Sequence, residues 1–357
     1  MQLLFNASTM KTLKPYLIAA AASAAAVISA PHAGACSRVF YQGTDSLFVI
    51  GRSLDWKTPI PTNVYIYPRG MKKVSSDQAN HLSWTSKYGA VYAVSYDGGI
   101  TEGMNEEGLV INGLFCKGTI YNDDNAAKKP QMSLSVFVAW MLDQCATTDE
   151  VVKLLDNTSF AIQGATFDGG TVSALHWGVT DKTGKSVIFE FDHGKINIYD
   201  MGDYRAMTND PNWPQMTAII NYWEKIGGKN MLPGTVSSPD RCVRANYFAH
   251  HVKKVEDPDL AVSICRSILV NSCVPYTYEI EGQPELSSTQ WRTYSVPCNL
   301  RYYFEMVTNP GYYYVDLNKV NLRKGAKVMK LDTSKTSDLV GDATHRLKPS
   351  APFTPMY

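Results

Sequence analysis

The first 35 residues constrain this chain more than any other segment, because they decide which residue begins the folded protein. Lys11 and Lys14 precede a mostly apolar run over residues 16–30, and the small residues Ala33-Gly34-Ala35 follow. A charged stretch, an apolar stretch and a small-x-small site in this order are typical of a secretory signal peptide. We therefore predict that residues 1–35 are removed on export and that the mature protein is periplasmic or secreted.

The same segment also fits an N-terminal membrane anchor. Its apolar run is shorter than the roughly 20 residues that a membrane-spanning helix needs, so cleavage is the preferred interpretation. No later segment is apolar over such a length, and we expect no membrane span once the signal peptide is removed. Met1 and Met10 both fit as the start of the signal peptide.

Cleavage after Ala35 makes Cys36 the first residue and frees its α-amino group. The thiol of cysteine has an ordinary pKa of about 8.5 and an α-amino group one of about 7.7–8.0, so the amine can take the thiol proton near neutral pH. This pairing predicts that Cys36 is a nucleophile. The alternative is a lipidated, non-catalytic envelope protein that retains the fold as a binding module, although a lipoprotein signal normally has leucine where Ala33 stands.

Charge and cysteine content exclude several other classes. The chain has 34 basic and 33 acidic residues, without the concentrated basic patch of a nucleic-acid binder. The absence of a CxxC pair and of a glycine-rich phosphate motif predicts no metal site and no cofactor. Setting Cys36 aside leaves six cysteines, which can form up to three disulfides or pack as small apolar side chains. They are Cys116, Cys145, Cys242, Cys265, Cys273 and Cys298.

Blocks of strands alternate with blocks of helices, which favours an α+β fold over a regular parallel sheet. Residue patterns predict strands at 38–42, 46–52, 63–67, 90–96, 109–115, 174–180, 186–191, 195–199, 288–294, 300–306 and 312–316. They predict helices at 132–144, from 148, and at 215–226, 240–253 and 260–269. We expect residues 36–357 to form one domain, with a loosely packed tail after Lys330.

Four polar residues are candidates to assist Cys36, and each has a plainer interpretation. Arg52 and Asp55 follow the second predicted strand, where a carboxylate can hold the amine and an arginine can lower the thiol pKa; by spacing alone they are surface residues of a turn. Asn209 can donate an N–H to an oxyanion, but asparagine before Asp-Pro is often a turn residue. Arg241 lies on a predicted helix, where a solvated charge is the default.

Seven motifs after Cys36 turn these weak indications into a specific resemblance. The chain resembles the choloylglycine hydrolase and penicillin V acylase family of N-terminal-nucleophile hydrolases, and its Gram-negative exported branch most of all, over residues 36 to about 320. The motifs are GRSLDW at 51–56, SWTSKYG at 83–89, EGMNEEGL at 102–109, MTND at 207–210, MLPGT at 231–235, DRCVRA at 240–245 and STQWRT at 288–293.

The resemblance implies a four-layer αββα sandwich, with two antiparallel sheets between helix layers. It implies that Cys36 is nucleophile and base, that Arg52 and Asp55 surround it, that Asn209 serves the oxyanion region and that Arg241 supports the site electrostatically. The implied reaction is hydrolysis of a linear amide through a thioester acyl-enzyme. A small-molecule amide is the implied partner, and the family often forms homo-oligomers, including tetramers.

Phe115 departs from the Gram-positive pattern of the family, in which an asparagine helps to form the oxyanion hole. We predict that Phe115 and Trp56 line an apolar acyl pocket, with plain core packing as the alternative. Penicillin V and N-acyl homoserine lactones are preferred as substrates over conjugated bile salts. The acidic residues Glu102, Glu106 and Glu107 are expected to be solvated, and His176 to be packed or exposed without binding a metal.

Overall fold

The structure is a computed structural model that describes residues 35–164, 166–167, 171–281, 287–309 and 311–357. Apart from Ala35, the predicted signal peptide lies outside these residues. The strands of the first half are β1 Ser37–Gln42, β2 Phe48–Trp56, β3 Thr62–Tyr67, β4 Lys72–Val74, β5 Ser83–Thr85, β6 Ala90–Ser95, β7 Gly99–Asn105, β8 Val110–Phe115, β9 Gln131–Ser133, β10 Ala161–Gln163, β11 Thr166–Phe167 and β12 Thr171–Val172.

The strands of the second half are β13 Leu175–Thr180, β14 Ser186–Asp192, β15 Lys195–Asp200, β16 Ala206–Met207, β17 Ser288–Val296, β18 Arg301–Met306, β19 Tyr313–Asp316, β20 Met329–Leu331, β21 Gly341–Asp342 and β22 Lys348–Pro349. The helices are α1 Leu134–Gln144, α2 Thr148–Asn157, α3 Trp213–Ile226, α4 Ser238–His251 and α5 Pro258–Val270. None of the helices in the described ranges is long and apolar enough to cross a bilayer.

Two large sheets form the centre of the molecule. One has seven strands in the order β16-β1-β2-β17-β18-β19-β21 and is antiparallel except for the β19–β21 pair. The other has nine antiparallel strands in the order β15-β14-β13-β8-β7-β6-β3-β20-β22. The strand that follows Cys36 thus lies inside the seven-stranded sheet, and the strands carrying Glu102 and Phe115 lie inside the other.

Helices cover the outer face of each sheet. Helix α1 packs on β7 and β8, whereas α4 and α5 pack on β1 and β2. Successive residues of strand β6 pack on opposite faces of its sheet. Val91 and Ala93 face the core shared by the two sheets, while Tyr92 and Val94 face the apolar cluster around α1. The predicted α+β fold and αββα sandwich are confirmed.

Among the strands that carry site residues, β2 and β7 differ from the prediction. Strand β2 extends to Trp56, so Arg52 and Asp55 lie within a paired strand instead of a turn. Strand β7 was not predicted, because Gly99 and Gly103 weaken the β pattern of its sequence. Gly103 lies where the backbone carbonyl of β6 and the side chain of Leu142 on α1 leave no room for a side chain.

The C-terminal segment differs from the expected loose tail. Strand β20 pairs with β3, and β22 pairs with β20 at the edge of the nine-stranded sheet. Leu331, Leu339 and Leu347 are buried in the core between the sheets. A polar and Ser/Thr-rich composition therefore did not prevent packing, since a few regularly placed apolar residues are enough to hold the segment.

Among the described residues, which include every cysteine, all seven thiols are free. Five of them are buried, Cys298 is exposed and Cys273 is intermediate. Burial raises the pKa of Cys242 and of Cys265 to about 12, as expected for thiols that pack as small apolar side chains. Of the two alternatives left open by the sequence, the structure has the one without disulfides.

The contact between β6, β7 and α1 gives a test of the packing. A Cβ at position 103 would overlap the carbonyl oxygen of Val91 and lie 3.0 Å from Cδ1 of Leu142. We expect Gly103→Ala to lower the free energy of unfolding by about 1–3 kcal/mol, as overpacking of a core does. The control is Gly118→Ala, where a Cβ would meet nothing within 4 Å. Equal denaturant midpoints for the two variants would contradict this packing.

Candidate active site

Cys36 lies directly before β1 and is 4% exposed. Ala35 precedes it in this chain, so its nitrogen is an amide N–H that donates to Oδ1 of Asn209 at 2.7 Å. The Nη2 atom of Arg52 lies 3.7 Å from the Cys36 sulfur. Cys36 therefore contacts Arg52 through its sulfur and Asn209 through its backbone nitrogen.

Arg52 is fixed by contacts from both sheets. Its Nη2 donates to the carbonyl oxygen of Gly113 at 2.9 Å, and its guanidinium lies 4.6 Å from the ring centroid of Trp291. Its Nε lies 3.3 Å from a carboxylate oxygen of Glu102. This cation therefore has an anion on one side and the Cys36 sulfur on the other.

Glu102 was expected to be solvated, and that expectation is wrong. The residue is fully buried, and its Oε1 accepts hydrogen bonds from Thr293 Oγ1 at 2.5 Å and Tyr302 Oη at 2.8 Å. Both donors lie in the opposite sheet, on β17 and β18. Glu102 balances the charge of Arg52 in the layer between the sheets, where an unpaired cation would be costly.

Asp55 is a buried carboxylate without a hydrogen bond from the described part of the chain. Burial raises its pKa to about 6, although Arg241, the nearby hydroxyls of Thr289 and Ser53, and Arg52 act in the opposite direction. Both hydroxyls lie close to the Asp55 carboxylate, but neither has the geometry of a hydrogen bond to it. An unsatisfied carboxylate that lines the same cleft as Cys36 is suited to accept a hydrogen bond from a free amine.

Arg241 connects the start of β1 to the loop after β16. Its Nη1 donates to the Cys36 carbonyl oxygen at 2.9 Å and to Ser37 Oγ at 2.6 Å, and its Nη2 donates to Asn209 Oδ1 at 2.8 Å. Burial lowers its pKa, and Asp55 acts in the opposite direction. The interpretation of Arg241 as a solvated helix charge is wrong, because its side chain points into the core.

Asn209 uses both ends of its side-chain amide. Its oxygen accepts from Cys36 and Arg241, and its nitrogen donates to the Phe115 carbonyl oxygen at 2.8 Å. An amide nitrogen carries two N–H donors, so one remains for an oxyanion. The surrounding bonds set the orientation of this amide, which makes the simple turn interpretation insufficient.

Trp56 and Phe115 pack edge to face, with ring centroids 5.8 Å apart. Both line a cleft of about 760 Å³, counting its open mouth, that also contains Cys36. Leu54, Ile60, Ile100, Leu134 and Leu175 supply further apolar walls. The structure therefore places the two aromatic residues beside Cys36 in an apolar cleft.

A second polar cluster lies behind Asn209. The ligand atoms of Cys116, His176 and Glu190 all lie within 4.8 Å of one another, and all three residues are buried. Nδ1 of His176 contacts Glu190 at 3.0 Å, and Nε2 contacts the Thr208 carbonyl oxygen at 2.7 Å. Although this donor set could hold a transition metal, both ring nitrogens are already engaged by protein oxygens.

The sequence reasoning missed the roles of Glu102 and His176. Burial lowers the pKa of His176, but Cys116 and Glu190 outweigh it and raise that pKa to about 10. The resulting imidazolium holds the carbonyl of Thr208, next to Asn209. For Glu102, the motif EGMNEEGL was the available indication, but nothing in its spacing distinguished the fully buried glutamate from Glu106 and Glu107, which are only partly buried.

Comparisons with known proteins agree with this geometry. Residues 36–340 match the family model described as linear amide C–N hydrolases, choloylglycine hydrolase family. The chain is 34% identical to a penicillin V acylase of Pectobacterium atrosepticum over 343 residues, covering 89% of this chain and 91% of that protein. It is 24% identical to a bile salt hydrolase/transferase of Clostridium perfringens, covering 80% and 94%.

A solved structure is similar over nearly the same length. The penicillin V acylase of Agrobacterium tumefaciens is 36% identical to this chain, with a TM-score of 0.82. The similarity covers 90% of this chain and 99% of that one. It therefore extends over the elements that bring the site together.

The raised pKa of Asp55 predicts a pH dependence of stability in the unprocessed chain. The folded pKa of about 6 lies above the ordinary value, so the folded state holds the proton more tightly and the free energy of unfolding falls as pH rises towards 6. Asp55→Asn removes this dependence. We expect its stability relative to wild type to increase by about 2 kcal/mol between pH 4 and 7.

Urea denaturation at both pH values measures this difference. The control is Asp124→Asn, which removes an exposed carboxylate. If Asp55→Asn and wild type changed in parallel with pH, Asp55 would not carry a raised pKa.

The buried imidazolium of His176 predicts a loss of stability with rising pH as well, but in a more alkaline range. Its raised pKa means that the ion pair with Glu190 stabilises the fold fully below about pH 6.5, the ordinary value, and ceases to do so as pH rises through 10. His176→Gln should lower the free energy of unfolding by about 3 kcal/mol near pH 6 and by less near pH 10. His193→Gln, at an exposed histidine, is the control, and a pH-independent deficit in His176→Gln would refute the ion pair.

Proposed function

Given that the chain belongs to the choloylglycine hydrolase family of linear amide C–N hydrolases, we propose that it cleaves its substrate with Cys36 once residues 1–35 have been removed. As a member of that family it is an amidohydrolase. The observation that carries the proposal is the convergence of Arg52, Asn209 and Arg241 on the thiol, nitrogen and carbonyl of Cys36. The family match also begins at Cys36.

The proposed reaction begins with transfer of the thiol proton to the free α-amino group. The thiolate attacks the amide carbonyl carbon, and the ammonium returns the proton to the leaving nitrogen as the C–N bond breaks. This leaves a thioester between Cys36 and the acyl group. A water molecule, deprotonated by the same amine, attacks the thioester and releases a carboxylic acid and the thiol.

The surrounding residues stabilise the charges that this sequence creates. Asp55 accepts a hydrogen bond from the ammonium, because its carboxylate is otherwise unsatisfied. Arg52 stabilises the thiolate from 3.7 Å. The remaining N–H of Asn209 donates to the oxyanion. The direction of this N–H is set by the bonds that Arg241 and the Phe115 carbonyl make with the same side-chain amide.

The proposed substrates pair an apolar acyl group with a small polar amine. Trp56 and Phe115 give the cleft beside Cys36 an aromatic wall that suits the phenoxyacetyl group of penicillin V or the acyl chain of an N-acyl homoserine lactone. The greater identity to penicillin V acylases than to bile salt hydrolases supports this order of preference. Conjugated bile salts come third.

Because residues 1–35 have the features of a secretory signal peptide, their proposed removal implies that the protein is exported.

The rival proposal is a lipidated binding module, in which the Cys36 sulfur carries a lipid at the protein surface. Cys36 is 4% exposed and its sulfur faces Arg52, so a lipid on this sulfur would begin inside the fold and not at the protein surface. The geometry therefore favours the hydrolase.

A substrate panel with protein that begins at Cys36 tests the proposal. Cys36→Ala should lower kcat/KM for penicillin V by at least about a thousandfold, since it removes the nucleophile. Cys298→Ser, at an exposed cysteine, should retain activity and controls for thiol loss. Intact mass should show an acyl adduct on the wild type and on Cys298→Ser, but not on Cys36→Ala.

Three results would contradict parts of this proposal. Full activity in Cys36→Ala would exclude the mechanism, and a diacylglyceryl mass increment on Cys36 from the native host would favour the lipidated module. Faster cleavage of conjugated bile salts than of penicillin V and acyl homoserine lactones would reverse the order of substrates.

A further inference from the structure

The end of the chain returns to the wall of the substrate cleft. The backbone N–H of Met356 donates to the Gly98 carbonyl oxygen at 2.9 Å. Its carbonyl oxygen accepts from Ser133 Oγ at 3.0 Å and from Ser135 Oγ at 2.5 Å. One residue thus bonds to two separate elements of the fold.

Both of those elements supply residues to the cleft. Gly98 lies in the turn between β6 and β7, whose neighbours Tyr96, Gly99 and Ile100 line the cleft. Ser133 caps the first turn of α1 by accepting from the Ser135 N–H. Leu134 and Ser135, at that helix start, line the cleft from another side. Met356 itself lies behind these residues and joins them.

The segment before Met356 is anchored by packing. The Phe353 ring lies 5.9 Å from the ring centroids of Tyr65 and Tyr67, and its N–H donates to Tyr67 Oη at 2.9 Å. Gly98 leaves room for the Met356 side chain, because a Cβ there would lie 2.7 Å from Met356 Cγ. The family match ends at residue 340, so these contacts lie beyond it.

We propose that residues 353–357 are a specificity-determining clamp, which fixes the distance between the β6–β7 turn and the start of α1 and so limits the length of the acyl group that the cleft accepts. The clamp deepens the proposed function and rests on it. Because Met356 contributes backbone atoms, the clamp depends on the position of its backbone more than on its side chain. Without it, the two walls are free to separate and admit longer acyl chains.

Two truncations that differ by one residue test the clamp. A chain ending at Pro355 loses the N–H and the carbonyl oxygen that join the two walls. A chain ending at Met356 loses Tyr357 alone and keeps both groups, with a carboxylate oxygen as the acceptor, so it is the matched control. Gly98→Ala in the full chain adds a Cβ that would lie 2.7 Å from Met356 Cγ, so it disturbs the packing of Met356 without shortening the chain.

Each variant is assayed with a series of N-acyl homoserine lactones of increasing acyl length. For the chain ending at Pro355, and to a smaller degree for Gly98→Ala, we expect the ratio of kcat/KM for long over short acyl groups to rise by about tenfold, the scale of one or two added methylenes in a pocket. The chain ending at Met356 should keep the wild-type ratio. An unchanged ratio in the Pro355 chain would overturn the clamp, while the proposed function would stand.

Binding of the carboxylic acid products gives a second readout that does not need hydrolysis. In a Cys36→Ala background, calorimetry with fatty acids of two lengths should show the same shift towards the longer acid after truncation to Pro355. If the full-length and the truncated protein had the same preference between the two fatty acids, the clamp would be refuted even if no amide were cleaved. Loss of hydrolysis in the full chain, with the binding shift present, would instead count against the proposed function alone.

Discussion

The buried guanidinium of Arg241 is the contact on which the site depends. It donates to the carbonyl of Cys36, to the hydroxyl of Ser37 and to the side-chain oxygen of Asn209. These bonds tie the first residues of β1 to the loop after β16 and to helix α4, which are far apart in the chain. A guanidinium suits this task because its donors diverge in a fixed plane. Where Cys36 lies therefore depends on a helix about 200 residues later.

The layer between the sheets contains several buried charged residues. Arg38, fully buried, donates to Asn112 and Thr180, and burial lowers its pKa to about 10 although Glu102 acts in the opposite direction. Arg52 and Glu102 pair across the same layer. Buried ions contribute little net stability, since their desolvation offsets their attraction. Their value here is positional, because each fixes a strand of one sheet against a strand of the other beside Cys36.

The spacing of apolar residues predicted most helices and strands. An apolar residue recurs every second position along a half-buried strand and every three or four positions along a half-buried helix. The prediction failed where packing between elements overrides local preference. Strand β7 contains Gly103, whose lack of a side chain is required by β6 and α1 and not by its own strand. The tail after Lys330 has a polar sequence, yet Leu331 and Leu347 are buried by surfaces contributed elsewhere.

The sequence alone determined the chemistry that is available: a cysteine after a predicted cleavage site, the residue types that can assist it, and the family to which the chain belongs. Only the tertiary structure decided which charges are buried and what they contact. Glu102 and Glu107 are indistinguishable by type, but Glu102 lies on β7 and contacts Arg52 between the sheets, whereas Glu107 lies beyond the end of that strand and is partly accessible to solvent. Likewise, no local pattern places Met356 beside Gly98. Such contacts depend on how the two sheets pack together and on which segments of the chain the fold brings side by side, which are properties of the whole fold.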